Sequence, residues 1–384
     1  MVPSLARVRR QQASPPHPYD VQLGTDGRRI QVQPASGWEN AEITATQLIV
    51  AGPTGAESHQ LRQHPERPAR IDAVMAGIGD LHLGTDLRVV PADPADLGQL
   101  ARVHTLDYLD ELRRFSAGGG GHLDPDTYAD AGSWDAARRA AGAGIAAVDE
   151  LRSLDAGVAF VAARPPGHHA LGDRAMGFCL LNNVAVAAAH LVDAGERVLI
   201  VDWDVHHGNG TQALFWNEPN VLYVSTHQWP AYPGTGRSTE VGGKDAHGLT
   251  VNVPVPPGAT GDVLRRALDQ VAAPVIDRFS PTWVLVSAGF DAHRADPLAD
   301  LSLSSRDFAD LARTVQGYAP RPGRLALFLE GGYDLDALRT SVASTLGALL
   351  GTPDPTEGPT AGGPGLERVG QAAVERNQAL EHRG

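Results

Sequence analysis

Five short β-forming apolar runs alternate with longer helix-forming segments, and this alternation constrains the chain more than any other feature. The runs are 157–164 (GVAFVAAR), 197–202 (RVLIVD), 221–226 (VLYVST), 283–288 (WVLVSA) and 325–329 (LALFL). Between and after them, 134–152, 183–194, 262–279, 304–317 and 336–350 have the content and length of crossover helices. Strands apolar on both faces and joined by helices predict an α/β fold, a three-layer α/β/α domain around a mostly parallel sheet. Such sheets bind ligands beyond the carboxyl ends of their strands, so the residues just after each run are the candidates for chemistry.

Those residues are rich in metal-binding and proton-transferring types. The run RVLIVD leads into WDVHHGNGTQ, where Asp202, Asp204 and His206 share a period of two and project from one side. Carboxylate oxygen and imidazole nitrogen are the ligand types that suit zinc or a related divalent ion. The run WVLVSA ends in GFDAHRADPL, which offers Asp291 as a third ligand, with His293 and Asp296 as competitors at the same edge. Asp296, before a proline, has the position of a turn or cap residue. Three protein ligands leave a coordination position for water, the pattern of catalytic zinc. The run GVAFVAA leads into RPPGHHA, placing His168 and His169 where a proton could be shuttled. LALFL ends in EGGY, which can deliver the Tyr333 hydroxyl to an oxyanion. MGFC and YPGTG bring Phe178 and Tyr232 to candidate wall positions.

Composition narrows the partners. A net charge of −13 disfavours direct nucleic-acid binding and favours cationic ligands. The single cysteine, Cys179, can form neither an internal disulfide nor a cysteine-built zinc site, so a metal must rest on histidine and carboxylate. No apolar run reaches the roughly 18 residues that span a bilayer, and the first residues lack the apolar stretch of a secretory signal. The expectation is a cytoplasmic protein with no membrane partner.

Taken together and in order, HPER (64–67), RPPGHHA, MGFC, DWDVHHGNGTQ, YPGTG, AGFDAHRADPL and LEGGY resemble the histone deacetylase superfamily, specifically the class II-like bacterial deacetylase and acetylpolyamine amidohydrolase group. The resemblance implies the arginase-deacetylase fold and a zinc-dependent amidohydrolase that removes acetyl or other acyl groups from acyl-lysine-like amines. It implies zinc on Asp204, His206 and Asp291, with His168, His169 and Tyr333 catalytic and Asp202 and Asn209 orienting the two histidines. Asn209 stands where class I members carry Asp, which bears on the charge of His169. Gly177, Phe178, Tyr232 and Leu298 would line the substrate channel. A potassium ion would lie beside Asp202, Ser225, Thr226 and the carbonyls of Asp204 and His206.

A Pro-, Gln-, Gly- and Arg-rich start without sustained period reads 1–40 as a flexible or loosely attached arm, and the resemblance makes 41–350 the deacetylase catalytic domain. A Pro/Gly-rich stretch followed by helical spacing of Leu366, Val369, Ala373 and Leu380 reads 351–384 as a linker with a short C-terminal helix. Leu298 stands where animal polyamine deacetylases resemble one another in carrying glutamate, and 118–134 is too short for the channel-narrowing loop of bacterial acetylpolyamine amidohydrolases. Acyl-lysine-like substrates are therefore favoured over acetylpolyamines or other small acetylated amines. A non-catalytic acyl-lysine binding module and a binuclear manganese ureohydrolase are the competing readings. AGFDA offers one Asp where the ureohydrolase would need two. Self-association into a homo-oligomer is left open by the sequence.

Overall fold

The computed structural model describes residues 47–381 except 53, 54, 155 and 353–356. The arm expected at 1–40 lies outside the described residues. Eight strands form one sheet: β1 (Leu48–Ala51), β2 (Leu87–Val90), β5 (Val158–Val161), β6 (Val198–Asp202), β7 (Val221–Gln228), β8 (Thr250–Val255), β9 (Trp283–Ala288) and β10 (Leu325–Leu329). A separate antiparallel hairpin pairs β3 (Gly120–His122) with β4 (Tyr128–Asp130). The large sheet has the order β2-β1-β5-β10-β9-β6-β7-β8, and every pairing in it is parallel.

Alternate residues of each inner strand feed different cores. On β6, Leu199 and Val201 join the cluster on one face, while Val198 and Ile200 join the other. The helices Ser305–Gln316 and Leu335–Leu350 bury Phe308, Leu311, Val342 and Leu346 in the first cluster. The helices Ser133–Arg152 and Asn183–Asp193 bury Ala143, Val148, Val184 and Leu191 in the second. This is the three-layer arrangement that near-continuous apolar strands demand, since neither face of such a strand can meet water. Among the described residues no helix is long and apolar enough to cross a membrane.

Three strands of the sheet have weak sequence signals, and each has a physical reason. β1 is only four residues long. β2 lies at one edge and leaves Arg88 and Val89 exposed. β8 lies at the other edge and contains Pro254, which only an edge strand accommodates because proline offers no N–H to the ladder. The helix expected over 262–279 is continuous but passes through a π-helical turn at Leu268–Ala272 just before Pro274, whose missing N–H cannot complete a regular α-helical ladder.

The C-terminal helix Leu366–Glu381 packs on its own chain. Val369 and Ala372 enter the first core cluster, and Arg376 donates to the carbonyls of Thr250 and Gly248 beside β8. The helix thus covers the β8 edge, a position that otherwise invites pairing with another sheet. The segment before it is tied down as well, since the Thr360 hydroxyl donates to Asp307 at 2.7 Å.

The helix Ala69–Gly79 approaches Leu335–Leu350 so closely that a Cβ on Gly77 would lie 2.4 Å from the Arg339 carbonyl oxygen. Gly77→Ala is expected to cost about 1–3 kcal/mol through overpacking. Gly79→Ala, with nothing within 4 Å of the added carbon, should be neutral or stabilising by up to about 1 kcal/mol. Urea midpoints with unchanged m-values would test the contrast.

Candidate active site

Four strands adjacent in the sheet, β5, β10, β9 and β6, deliver the polar residues to one edge. The segment after β5 supplies His168 and His169, that after β6 supplies Asp204 and His206, that after β9 supplies Asp291, and that after β10 supplies Tyr333. Parallel pairing in register makes this convergence automatic, because all four strands end at the same side of the sheet.

Asp204, His206 and Asp291 each present a ligand atom, and the three atoms lie within 4.8 Å of one another. His206 Nδ1 sits 3.3 Å from Asp204 Oδ1 and 3.3 Å from Asp291 Oδ2. The other carboxylate oxygens are held by backbone amides: Gly331 N–H donates to Asp204 Oδ2 at 2.8 Å and Val205 N–H to Asp291 Oδ1 at 3.0 Å. A Cβ on Gly331 would stand 1.9 Å from Asp291 Oδ2, so only glycine lets the backbone come this near. Asp291 Oδ2 is buried without a hydrogen bond. Burial and the neighbouring Asp204 push the Asp291 carboxyl up to about 7. Burial opposes charge on His206, yet the two carboxylates raise it to about 10. A buried site with an unsatisfied carboxylate oxygen and an excess of negative charge fits a divalent cation, and its oxygen and nitrogen donors are those of zinc-type ions.

His168 and His169 stand beside this triad in different surroundings. His168 Nδ1 is 3.1 Å from Asp202 Oδ2, which also accepts from the Tyr223 hydroxyl at 3.1 Å. Burial disfavours a charge on His168, but Asp204 and Asp202 outweigh it and raise the ring to about 10. His169 Nδ1 is 2.8 Å from Asn209 Oδ1, a neutral acceptor. Burial, with His168 and His206 close by, lowers His169 well below its usual value. The amide oxygen places the proton of neutral His169 on Nδ1 and leaves Nε2 free to accept one.

A cavity of about 210 Å³ opens over the triad, lined by His168, His169, Gly177, Phe178, Asp204, His206, Tyr232, Leu298 and Tyr333, and also by Asp126, Pro166 and Gly331. Phe178 and Tyr232 flank it, with the Tyr232 ring perpendicular to His169 at 5.1 Å and the Phe178 ring perpendicular to Tyr333 at 5.7 Å. Gly177 and Phe178 are the central pair of a tight turn closed by Met176 and Cys179, with φ of +56° and +68°. Such a turn is dominated by Gly and Asn, and a bulky residue in the left-handed region costs about 1–3 kcal/mol.

Asp202 does not join Asp204 and His206 in the triad, despite the shared period on the sequence, because the strand ends at Asp202 and its carboxylate turns to His168. His293 faces Glu357 at 3.5 Å rather than the triad. Asp296 accepts from the Leu298 amide within its own turn and from the Tyr333 amide, and so ties the segment after β9 to the segment after β10. Ser225 and Thr226 lie buried on β7, with Ser225 the register partner of Asp202, and neither lines the cavity.

Sequence reasoning missed Asp126, at the tip of the β3–β4 hairpin, because the segment 118–134 carries no chemical motif. It also missed a buried charge cluster beneath Tyr333. Glu66 accepts from Arg164 Nε at 2.7 Å and from Arg70 at 3.2 Å, while Arg70 Nε donates to the Gly332 carbonyl at 2.7 Å. The Arg70 guanidinium lies 4.9 Å from the Tyr333 ring centre. HPER and RPPG supplied Glu66 and Arg164, but Arg70 lies three residues beyond HPER on the following helix, and only the fold shows the three charges paired in burial. Burial pushes the Tyr333 hydroxyl well above its ordinary range, so it stays a proton donor.

Residues 64–349 match the histone deacetylase domain family. A histone deacetylase-like amidohydrolase from Pseudomonas aeruginosa is 39% identical over 304 residues, covering 77% of this chain and 79% of that protein. Histone deacetylase 10, chloroplastic, from Oryza sativa subsp. japonica is 38% identical over 324 residues, covering 78% of this chain and 72% of that protein. The solved HD domain of HDA15 superposes with a TM-score of 0.78 at 33% identity, covering 88% of this chain and 95% of that one.

Proposed function

The chain belongs to the histone deacetylase family, and from that premise we propose that it is a zinc-dependent amidohydrolase that removes acetyl or other acyl groups from acyl-lysine-like amines. The observation that carries the proposal is one cavity lined by two unlike histidines, Tyr333 and two members, Asp204 and His206, of a candidate metal-binding triad completed by the buried Asp291. Held by Asp204, His206 and Asp291, zinc supplies Lewis acidity to the acyl carbonyl and to the attacking water. His169 Nε2 accepts the water proton and later returns it to the departing amine. His168, kept charged by Asp202, acts electrostatically on the developing negative charge. The Tyr333 hydroxyl donates to the oxygen of the tetrahedral adduct, with the Arg70 and Glu66 cluster holding its loop in place. Phe178, Tyr232 and Gly177 shape a narrow passage for an unbranched aminoalkyl chain.

Potassium belongs to the same proposal. Asp202 and Ser225 are neighbours across β6 and β7, and burial raises the Asp202 carboxyl, so a monovalent cation held there with Thr226 and nearby carbonyls would keep it ionised. The cytoplasm is the proposed compartment.

Tyr333→Phe should lower turnover by about 10²–10³ while cation content and substrate binding persist. His169→Ala should be more damaging than His168→Ala, both variants remaining folded and metal-loaded. Steady-state kinetics with parallel elemental analysis tests both. Unchanged turnover in Tyr333→Phe with hydrolysis rate-limiting, or the reverse histidine order, would contradict these roles.

Small acetylated polyamines are the second reading, favoured by Asp126 in the cavity lining and the −13 net charge. Leu298, 40% exposed at the rim, offers a distal ammonium no charge partner and favours acyl-lysine. An acetyl-lysine peptide and acetylspermidine compared side by side on the zinc-loaded enzyme decide between them. The peptide should be preferred, and Leu298→Glu should raise kcat/KM for acetylspermidine relative to it. A preference of about tenfold or more for acetylspermidine in the unaltered protein would reject the acyl-lysine assignment.

A further inference from the structure

Phe178 occupies a backbone conformation that its side chain disfavours, at φ +68°, and yet its ring forms one wall of the cavity. Something outside the turn must hold it there. Its amide N–H donates to the Thr127 hydroxyl at 3.0 Å, and that hydroxyl donates in turn to Asp126 Oδ1 at 2.8 Å. Thr127 is fully buried. Asp124 Oδ1 fixes the hairpin tip by accepting from the amides of Asp126 at 3.0 Å and Thr127 at 2.6 Å. From the other side His64 lies edge-on to Phe178 at 4.6 Å and contacts the Asp126 carbonyl through Nε2 at 3.2 Å.

We propose that Thr127 is a positioning residue that sets the width and acyl preference of the channel, through the hydrogen-bonded line from Asp126 to the Phe178 amide. The inference rests on the deacylase reading for its substrate and on geometry for its mechanism. The hydrogen bonds of Thr127 go to Asp124, Asp126, Leu123 and Phe178, and none goes to the triad or to His168 and His169. Its hydroxyl joins the rim hairpin to the strained turn, so the rim carboxylate and the wall ring move as one. A hydroxyl is required because it accepts from one partner while donating to the other, which no apolar side chain of the same shape can do. Without it the Phe178 N–H is left buried and unpaired, and the turn has lost the bond that stabilises its positive φ.

Thr127→Val keeps the shape and removes the hydroxyl, whereas Thr127→Ser keeps the hydroxyl. With an acetyl-lysine peptide, Val should raise KM by about 5–20-fold with kcat within about threefold, and should narrow the preference for acetyl over hexanoyl. Ser should remain within about twofold of the parent, and Thr127→Ala should repeat the Val pattern. A loss confined to kcat, an unchanged chain-length ranking in Val and Ala, or a Ser variant as impaired as Val would overturn the proposal. A crystal structure of Thr127→Val supplies an arm independent of activity, in which the Phe178 turn should relax and its ring leave the His64 edge. A Phe178 unmoved in that structure overturns the clamp. A parent protein that hydrolyses no acylated amine counts against the deacylase reading, and the crystallographic arm still decides the clamp.

Discussion

Buried negative charge at the ends of three adjacent parallel strands, β10, β9 and β6, is the constraint on which the rest of the structure depends. Asp202, Asp204, Asp291 and Glu330 are all essentially inaccessible to water. Burying an ionised carboxylate costs several kcal/mol unless partners replace the lost hydration. The fold supplies them from backbone and side chain: Gly331 and His206 amides to Asp204, Val205 to Asp291, Gly167 and His168 amides to Glu330, and Tyr223 with His168 to Asp202. What these do not satisfy is the face of the triad toward Asp291 Oδ2, and that residue of unneutralised charge is what a cation would complete.

The same electrostatics makes the adjacent histidines unlike. Burial opposes charge on both rings, but Asp204 and Asp202 outweigh it at His168 and raise that ring to about 10, whereas at His169 burial and the nearby His168 and His206 prevail and shift it downward. Pairs of titratable groups pushed apart by their surroundings are how one site holds an acceptor of protons beside a fixed positive charge. The apolar and aromatic wall above them adds shape, and the Arg70, Arg164 and Glu66 cluster below adds rigidity, since each guanidinium links side chains or backbone from different segments.

How much of this was legible in the sequence followed the strength of local signals. Five of the six inner strands announce themselves as apolar runs, and the residues of the triad, the paired histidines and Tyr333 each follow one of them, so the site edge could be read from the sequence. Strands β1, β2 and β8 were not among those runs: β2 leaves two residues exposed at one edge, β8 carries a proline at the other, and β1, as short as β5, has no motif after it and pairs with strands distant in the chain. Motif strings also hide direction. The period of two in Asp202, Asp204 and His206 does not reveal that the chain leaves the strand after Asp202 and sends its carboxylate to His168. Asp126 and Thr127 were invisible for a different reason: their part in the cavity arises from a hairpin folding over Phe178, a tertiary contact that no local pattern encodes.

The central claim is that the Asp204–His206–Asp291 cluster holds a cation that enables amide hydrolysis. The direct test measures bound metal and acetyl-lysine turnover on the same samples as a chelator-stripped protein is titrated with Zn²⁺. Turnover rising in proportion to the first equivalent, with Asp291→Ala gaining neither tightly bound metal nor activity, is the result the account requires. Full turnover in the stripped protein, or a variant without Asp291 that binds one equivalent tightly and hydrolyses normally, would contradict it.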